Sequence, residues 1–195
     1  MPGMFIAIEG PDRVGKSTLW SGLANVIDSQ FVREPGGTLI GEQIRDIVLR
    51  GNACTETEIL LFLADRAEHV NGVINPWITL GKHVVTDRYD LSTIVYNCIL
   101  KNRYDLIDLA MSFSDPVPDL TVCLLPEEGF TRDYMNELDT RFTFKQVRDA
   151  YIEGIDLIQE LSPRNIVPIV TKKPVKAQEE AMRVIINFYN HFKWK

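Results

Sequence analysis

Between a short apolar run and a helical pattern lies Gly10-Pro11-Asp12-Arg13-Val14-Gly15-Lys16-Ser17, followed by Thr18. Two glycines at this spacing, ending in Gly-Lys-Ser, are what a phosphate-binding loop needs. The glycines let successive backbone N–H groups turn toward an anion, and the helix that follows adds the positive end of its dipole. The spacing is that of GxxxxGK followed by Ser or Thr. Lys16 is expected at the β- and γ-phosphates of a nucleoside triphosphate, and Ser17 as a ligand of Mg²⁺. Asp12 and Arg13 need their own explanation, because such a loop works through backbone amides and an acid in it repels phosphate.

Three more arrangements could do chemistry. Arg88 directly follows the apolar run HVVTD (83–87), beside Asp87. A guanidinium fork suits phosphate oxygens. Phe62 and Arg66 are spaced i, i+4, as are Ser92 and Tyr96, so each pair shares one helix face. The plain alternatives are a core Phe62 among leucines, a solvated helix arginine at Arg45, and a routine buried helix around Ser92.

Strands and helices alternate around these residues. Apolar runs predict strands over 5–9, 30–34, 83–87, 119–125 and 165–170. Helical spacing covers 16–28, 39–50, 55–74, 89–101, 104–112, 142–161 and 175–192. Gly51 is the expected stop of the second helix, Thr55 with Glu58 the expected capping box of the third, and Pro76 an interruption after it. Residues 127–141 are polar with poor periodicity and read as a mobile loop. Five short strands alternating with helices predict an α/β fold with an open parallel sheet, whose ligands sit at the carboxyl ends of the strands.

The chain has 195 residues, a net charge of −6, and 45% hydrophobic and 25% charged residues, which fits one compact soluble domain. That charge argues against sequence-independent nucleic-acid binding but leaves room for a small anion held by a few arginines. Three scattered cysteines read as reduced thiols in a cytoplasmic protein. No signal peptide and no membrane span is expected.

The stretches 34-EPGGT-38 with Arg45, 59-ILLFLADRAEHV-70, 87-DRYDLSTIVY-96, 118-PDLTVCLL-125 and 147-VRDAY-151 resemble, in order and spacing, the signatures of thymidylate kinases. That resemblance implies a P-loop NTPase fold, a five-stranded parallel sheet flanked by helices, forming a single domain over 1–195 with a short lid at about 127–141. It implies transfer of a phosphoryl group from ATP, with Mg²⁺, to dTMP in dTTP synthesis, and a homodimer. The loop residues Gly10, Pro11, Asp12, Arg13, Val14, Gly15, Lys16, Ser17 and Thr18 then bind ATP, with Lys16, Arg13, Asp12 and Arg88 catalytic. Asp12, Pro35, Arg45, Phe62, Arg66, Arg88, Ser92, Thr93 and Tyr96 bind dTMP. Asp12 faces the sugar, Arg13 reaches the transferring group, and Arg45 and Arg88 clamp the acceptor phosphate. Phe62 stacks on the pyrimidine, Arg66 and Thr93 meet its edge, and Tyr96 disfavours a 2′-hydroxyl. Ser17 and Asp87 serve the metal, and Arg132 and Arg141 the lid.

Two departures stand out. Leu125-Pro126 replaces the family's Leu-Asp, and 137-ELDTR-141 lacks the usual lid arginine at Thr140. A broader deoxynucleotide kinase accepting dUMP or purine monophosphates is the alternative. A nucleotide-hydrolysing switch is disfavoured, because it leaves Asp87-Arg88 and Phe62/Arg66 unexplained.

Overall fold

The computed structural model describes residues 2–127, 141–171 and 174–192. Five strands form one parallel sheet: β1 (Phe5–Glu9), β2 (Ser29–Arg33), β3 (His83–Asp87), β4 (Leu120–Pro126) and β5 (Ile166–Thr171), in the order β2-β3-β1-β4-β5. β1 pairs with β3 from Phe5↔Val84 to Ile8↔Asp87, and with β4 from Ile6↔Leu120 to Glu9↔Cys123. All residues of β1 and β4 are buried, because helices cover both faces.

Alternation along the strands divides the core. Ile6, Ile8, Val122 and Leu124 face α1 (Lys16–Leu23) and α8 (Pro174–Phe192), where they meet Leu19, Leu23, Ala181 and Ile185. Cys123 and Leu125 face the other way. They pack with Leu91, Ile94 and Val95 of the segment that opens as α5 (Asp90–Thr93), and with Tyr151 and Ile158 of α7 (Phe144–Leu161). Gly154 permits a close approach here, since a Cβ at that position would lie 3.0 Å from Leu91 Cδ1. Nearer the β2 edge, Phe5, Ala7 and Val84 pack with Val70, Ile74 and Tyr89.

α2 (Leu39–Leu49) is capped by Thr38, whose side chain accepts from Gly41 N–H at 2.9 Å, and Gly51 follows at φ 68°. Three expectations are corrected. α3 (Thr55–His69) begins with Cys54 as its cap, so Glu58 lies one residue beyond the capping-box position and the Thr55–Glu58 box does not form. Glu58 is buried and paired with Lys101 and Arg141 instead. Pro76 does not interrupt the helix. A π-helical segment, Val70–Ile74, leads straight into α4 (Asn75–Thr79). Its wider turn accommodates a ring that lacks an N–H and clashes with the carbonyl four residues back. α1 ends at Leu23, not 28.

The segment 89–101 is α5 continued by a second π-helical stretch, Ile94–Ile99. α6 (Ile107–Met111) follows a single 3₁₀ turn at Tyr104–Leu106. Thr143 and Gln146 form a true capping box at the start of α7.

Candidate active site

β1 ends in Glu9, and the chain turns sharply at Gly10 with φ 133°, where a Cβ would lie 2.3 Å from the Leu124 carbonyl oxygen. Only glycine fits that turn. Arg13 adopts φ 64°, Gly15 φ 103°, and α1 starts at Lys16. Lys16 Nζ donates to the Gly10 and Pro11 carbonyls at 2.9 and 2.8 Å and lies 3.7 Å from Asp12 Oδ1. Burial, and then the charge of Arg88, lower its pKa from the ordinary lysine value.

β3 delivers Arg88 from the neighbouring strand end. Its φ is 73°, a strained backbone that side-chain bonds hold in place. Nη1 donates to Ser92 Oγ at 2.9 Å and Tyr151 OH at 2.7 Å, and Nη2 donates to Asp12. The guanidinium carbon lies 5.2 Å from the Tyr96 ring centroid.

Two cavities open at this edge of the sheet. One, of about 580 Å³, is lined by Asp12, Arg13, Gly15, Lys16, Ser17, Thr18 and Asp87 among others. Of the expected nucleotide loop, Gly10, Pro11 and Val14 stand back from this lining: all three are buried, Val14 in the core against α8. The second cavity, of about 450 Å³, is lined by all nine residues expected to bind the acceptor: Asp12, Pro35, Arg45, Phe62, Arg66, Arg88, Ser92, Thr93 and Tyr96. Asp12, Glu34, Arg45 and Arg88 line both cavities, so two arginines stand where the two meet. Arg45 donates to the Pro35 carbonyl at 2.9 Å.

At the far end of the acceptor cavity, α3 presents Phe62, partly exposed on the wall, and Arg66, which is buried. Arg66 Nε bonds Glu34 Oε2 at 2.5 Å, Nη2 bonds Thr93 Oγ1 at 3.2 Å, and its guanidinium lies 4.0 Å over the Tyr89 ring. Among the described residues the buried Nη1 has no hydrogen-bond partner. Glu34 also meets His69 Nδ1 at 2.9 Å. Asp65 accepts from Gly36 N–H at 3.0 Å, and burial, reinforced by the charge of Glu34, raises its carboxyl to about 7.

Glu34, Glu58 and Tyr89 line this cavity and were not expected there. Glu34 opens the EPGGT stretch, the one signal that could have drawn attention to it. Arg141, expected in the lid, forms a bidentate pair with Glu58 at 3.0 Å per bond on the same wall. Arg132 and most of the expected lid lie outside the described residues.

Among the described residues the buried Asp87 Oδ1 has no hydrogen-bond partner, and Asp87 lines the same cavity as Ser17. A carboxylate and a hydroxyl are oxygen donors of the type that suits a hard cation such as Mg²⁺.

The profile of the thymidylate kinase family matches residues 8–182. The chain belongs to the thymidylate kinase family. It is 35% identical over 177 residues to the thymidylate kinase of Synechococcus sp. (strain JA-3-3Ab), covering 85% of this chain and 86% of that one. Against the Malacoplasma penetrans (strain HF-2) enzyme it is 33% identical over 194 residues, covering 89% and 91%. The solved thymidylate kinase from Ehrlichia chaffeensis superimposes with a TM-score of 0.75 at 28% identity, over 95% of this chain and all of that one. The Candida albicans thymidylate kinase gives 0.73 at 27% identity, over 97% and 94%. The kinase therefore has the P-loop NTPase fold and is an ATP-dependent phosphotransferase acting on a nucleotide.

Proposed function

We propose that the two cavities hold ATP and dTMP end to end, and that the γ-phosphoryl group crosses where Arg45 and Arg88 stand. The observation that carries this reading is the set shared by both cavities, with a phosphate loop on one side and an aromatic, arginine-bearing pocket on the other. Little covalent chemistry falls to the protein. Positioning and neutralisation of charge do the work.

In this reading Arg45 and Arg88 hold the acceptor phosphate, and Lys16 with the loop amides holds the donor phosphates. Arg13, whose side chain is exposed in the donor cavity, reaches the transferring group. Asp12 sits at the phosphate end near the sugar and orients Arg88, which is why an acid belongs in this loop. Phe62 lies against the pyrimidine, Arg66 and Thr93 at its edge, and Tyr96 beside C2′. Ser17 and Asp87 would hold Mg²⁺, which supplies charge neutralisation at the phosphates when bound.

The 195 residues act as one cytoplasmic kinase domain with a lid at about 127–141. Leu39, Ile40 and Ile47 of α2 and Leu60 of α3 are exposed apolar side chains on two packed helices, which supports a homodimer through that face.

ADP formation by the purified protein with Mg-ATP and dTMP, dUMP, TMP, dGMP, dAMP, dCMP or no acceptor tests the assignment. Turnover should depend on dTMP, with TMP weak. Equal activity on several deoxynucleotides would replace it with a broad-range kinase, and turnover without an acceptor would overturn the acceptor cavity altogether.

A further inference from the structure

Glu9, the only charged residue of β1, is fully buried, and no step above uses it. Its Oε1 accepts from the backbone N–H groups of Tyr89 at 2.8 Å and Ser92 at 3.2 Å, and its Oε2 from Ser92 Oγ at 2.5 Å. Ser92 Oγ lies 2.9 Å from Tyr151 OH. Arg88 Nη1 donates to both of those hydroxyl oxygens. We propose that Glu9 is a positioning residue for Arg88, and that a proton on its carboxylate reverses the hydrogen-bond chain anchoring the guanidinium. The proposal rests on Arg88 binding the acceptor phosphate.

The two protonation states differ in how many hydroxyl protons find an acceptor. With Glu9 ionised, Arg88 donates to Tyr151, Tyr151 to Ser92 and Ser92 to Glu9, so every O–H has an acceptor. With Glu9 protonated, its own O–H donates to Ser92 Oγ. Ser92 must then donate to Tyr151, and the Tyr151 proton is left without an acceptor within the chain. A buried donor in that state is costly, and the anchor of Arg88 loosens. The same carboxylate holds the N–H groups that follow the strained Arg88 backbone.

Titration falls in the working range. Burial raises the Glu9 carboxyl to about 7, against the Ser92 hydroxyl bond, the charge of Arg88 and the Tyr89 N–H, with Asp90 adding to the rise. The other groups that act on it electrostatically are Lys16 from α1, Cys123 from β4 and Tyr151 from α7.

Glu9→Gln is a fixed stand-in for the protonated form: its carbonyl keeps both backbone bonds, and its amide donates to Ser92. The experiment measures kcat and the KM values of dTMP and ATP from about pH 5.5 to about pH 9, a range that includes the acceptor phosphate's own titration near pH 6. In the parent enzyme the KM for dTMP should rise on acidification by about three- to tenfold beyond the rise in Glu9→Gln, the worth of one hydrogen bond. Glu9→Gln should show the acid-form KM throughout, with the KM for ATP following the parent enzyme.

Ser92→Ala keeps the fold of α5 but removes the hydroxyl between Glu9 and Arg88. It should lose the same pH component, and it covers the case in which Glu9→Gln does not fold. A parent-like pH profile in either variant overturns the role of Glu9. An unchanged KM for dTMP in Arg88→Lys overturns instead the Arg88 reading beneath it.

Discussion

Asp12 shows what a single side chain contributes here. Its carboxylate pairs with Arg88 from β3 and lies 3.7 Å from Lys16, so it joins the phosphate loop to the next strand end rather than repelling phosphate. Lys16→Ala should lower kcat by at least about a hundredfold, the loss typical of one preorganised donor at developing charge, while the unfolding midpoint stays close to the parent. Near-normal turnover in the folded variant would remove Lys16 from the mechanism. Tyr96→Phe keeps the ring beside Arg88 but deletes the hydroxyl, and should narrow the preference for dTMP over TMP in competition assays. An unchanged ratio would assign deoxyribose selection elsewhere. The loop and the Phe62/Arg66 pair were legible in the sequence because their geometry is local: a glycine turn, and one helix face. Glu9, Glu34 and Glu58 were not. Each is a buried carboxylate whose meaning comes from partners between 32 and 83 positions away, such as Arg66 for Glu34 and Ser92 for Glu9.

The elements that position these residues are legible in the strands and less so where helices meet turns. Apolar runs gave β1, β3, β4 and β5, and the short β-compatible QFVRE gave β2, all to within one residue at each end; the run is continuous where both faces are covered, as in β1 and β4. At α3 the Thr55–Glu58 spacing mimicked a capping box, yet burial drew Glu58 into its pairs with Lys101 and Arg141. The real box, Thr143 with Gln146, is hidden in the sequence by the polar, weakly periodic stretch that precedes it. It matters to function, since α7 carries Tyr151 to Arg88. Thr143 Oγ1 accepts from Gln146 N–H at 3.3 Å, and Gln146 Oε1 accepts from Thr143 N–H at 2.8 Å. Thr143→Ala should therefore cost about 1 kcal/mol in urea unfolding. No loss would mean that α7 is held by its packing alone.

Across the molecule, the carboxyl edge of the sheet collects its buried charge beneath the acceptor cavity, and two of those acids work against the fold at alkaline pH. Burial raises the carboxyls of Glu9 and Asp65 to about 7. The folded state therefore binds their protons more tightly than the unfolded chain does. The stability they contribute is fully present below the unfolded carboxylate range and is lost as pH rises through about 7. Asp65 is the cleaner case, because its buried Oδ2 has no hydrogen-bond partner among the described residues while Oδ1 accepts from Gly36 N–H. Asp65→Asn keeps that acceptor and carries no charge. Its advantage over the parent at about pH 8.5 should reach a few kcal/mol, the free energy of a shift of this size, and should shrink steadily toward about pH 5. Urea unfolding at several pH values measures it. A gap that does not change with pH would show that the Asp65 proton is not linked to folding. The same variant leaves the neighbouring Glu34–Arg66–His69 cluster without the nearby negative charge, so any gain in stability bought at the expense of dTMP affinity would show that this buried acid is retained for the cavity above it.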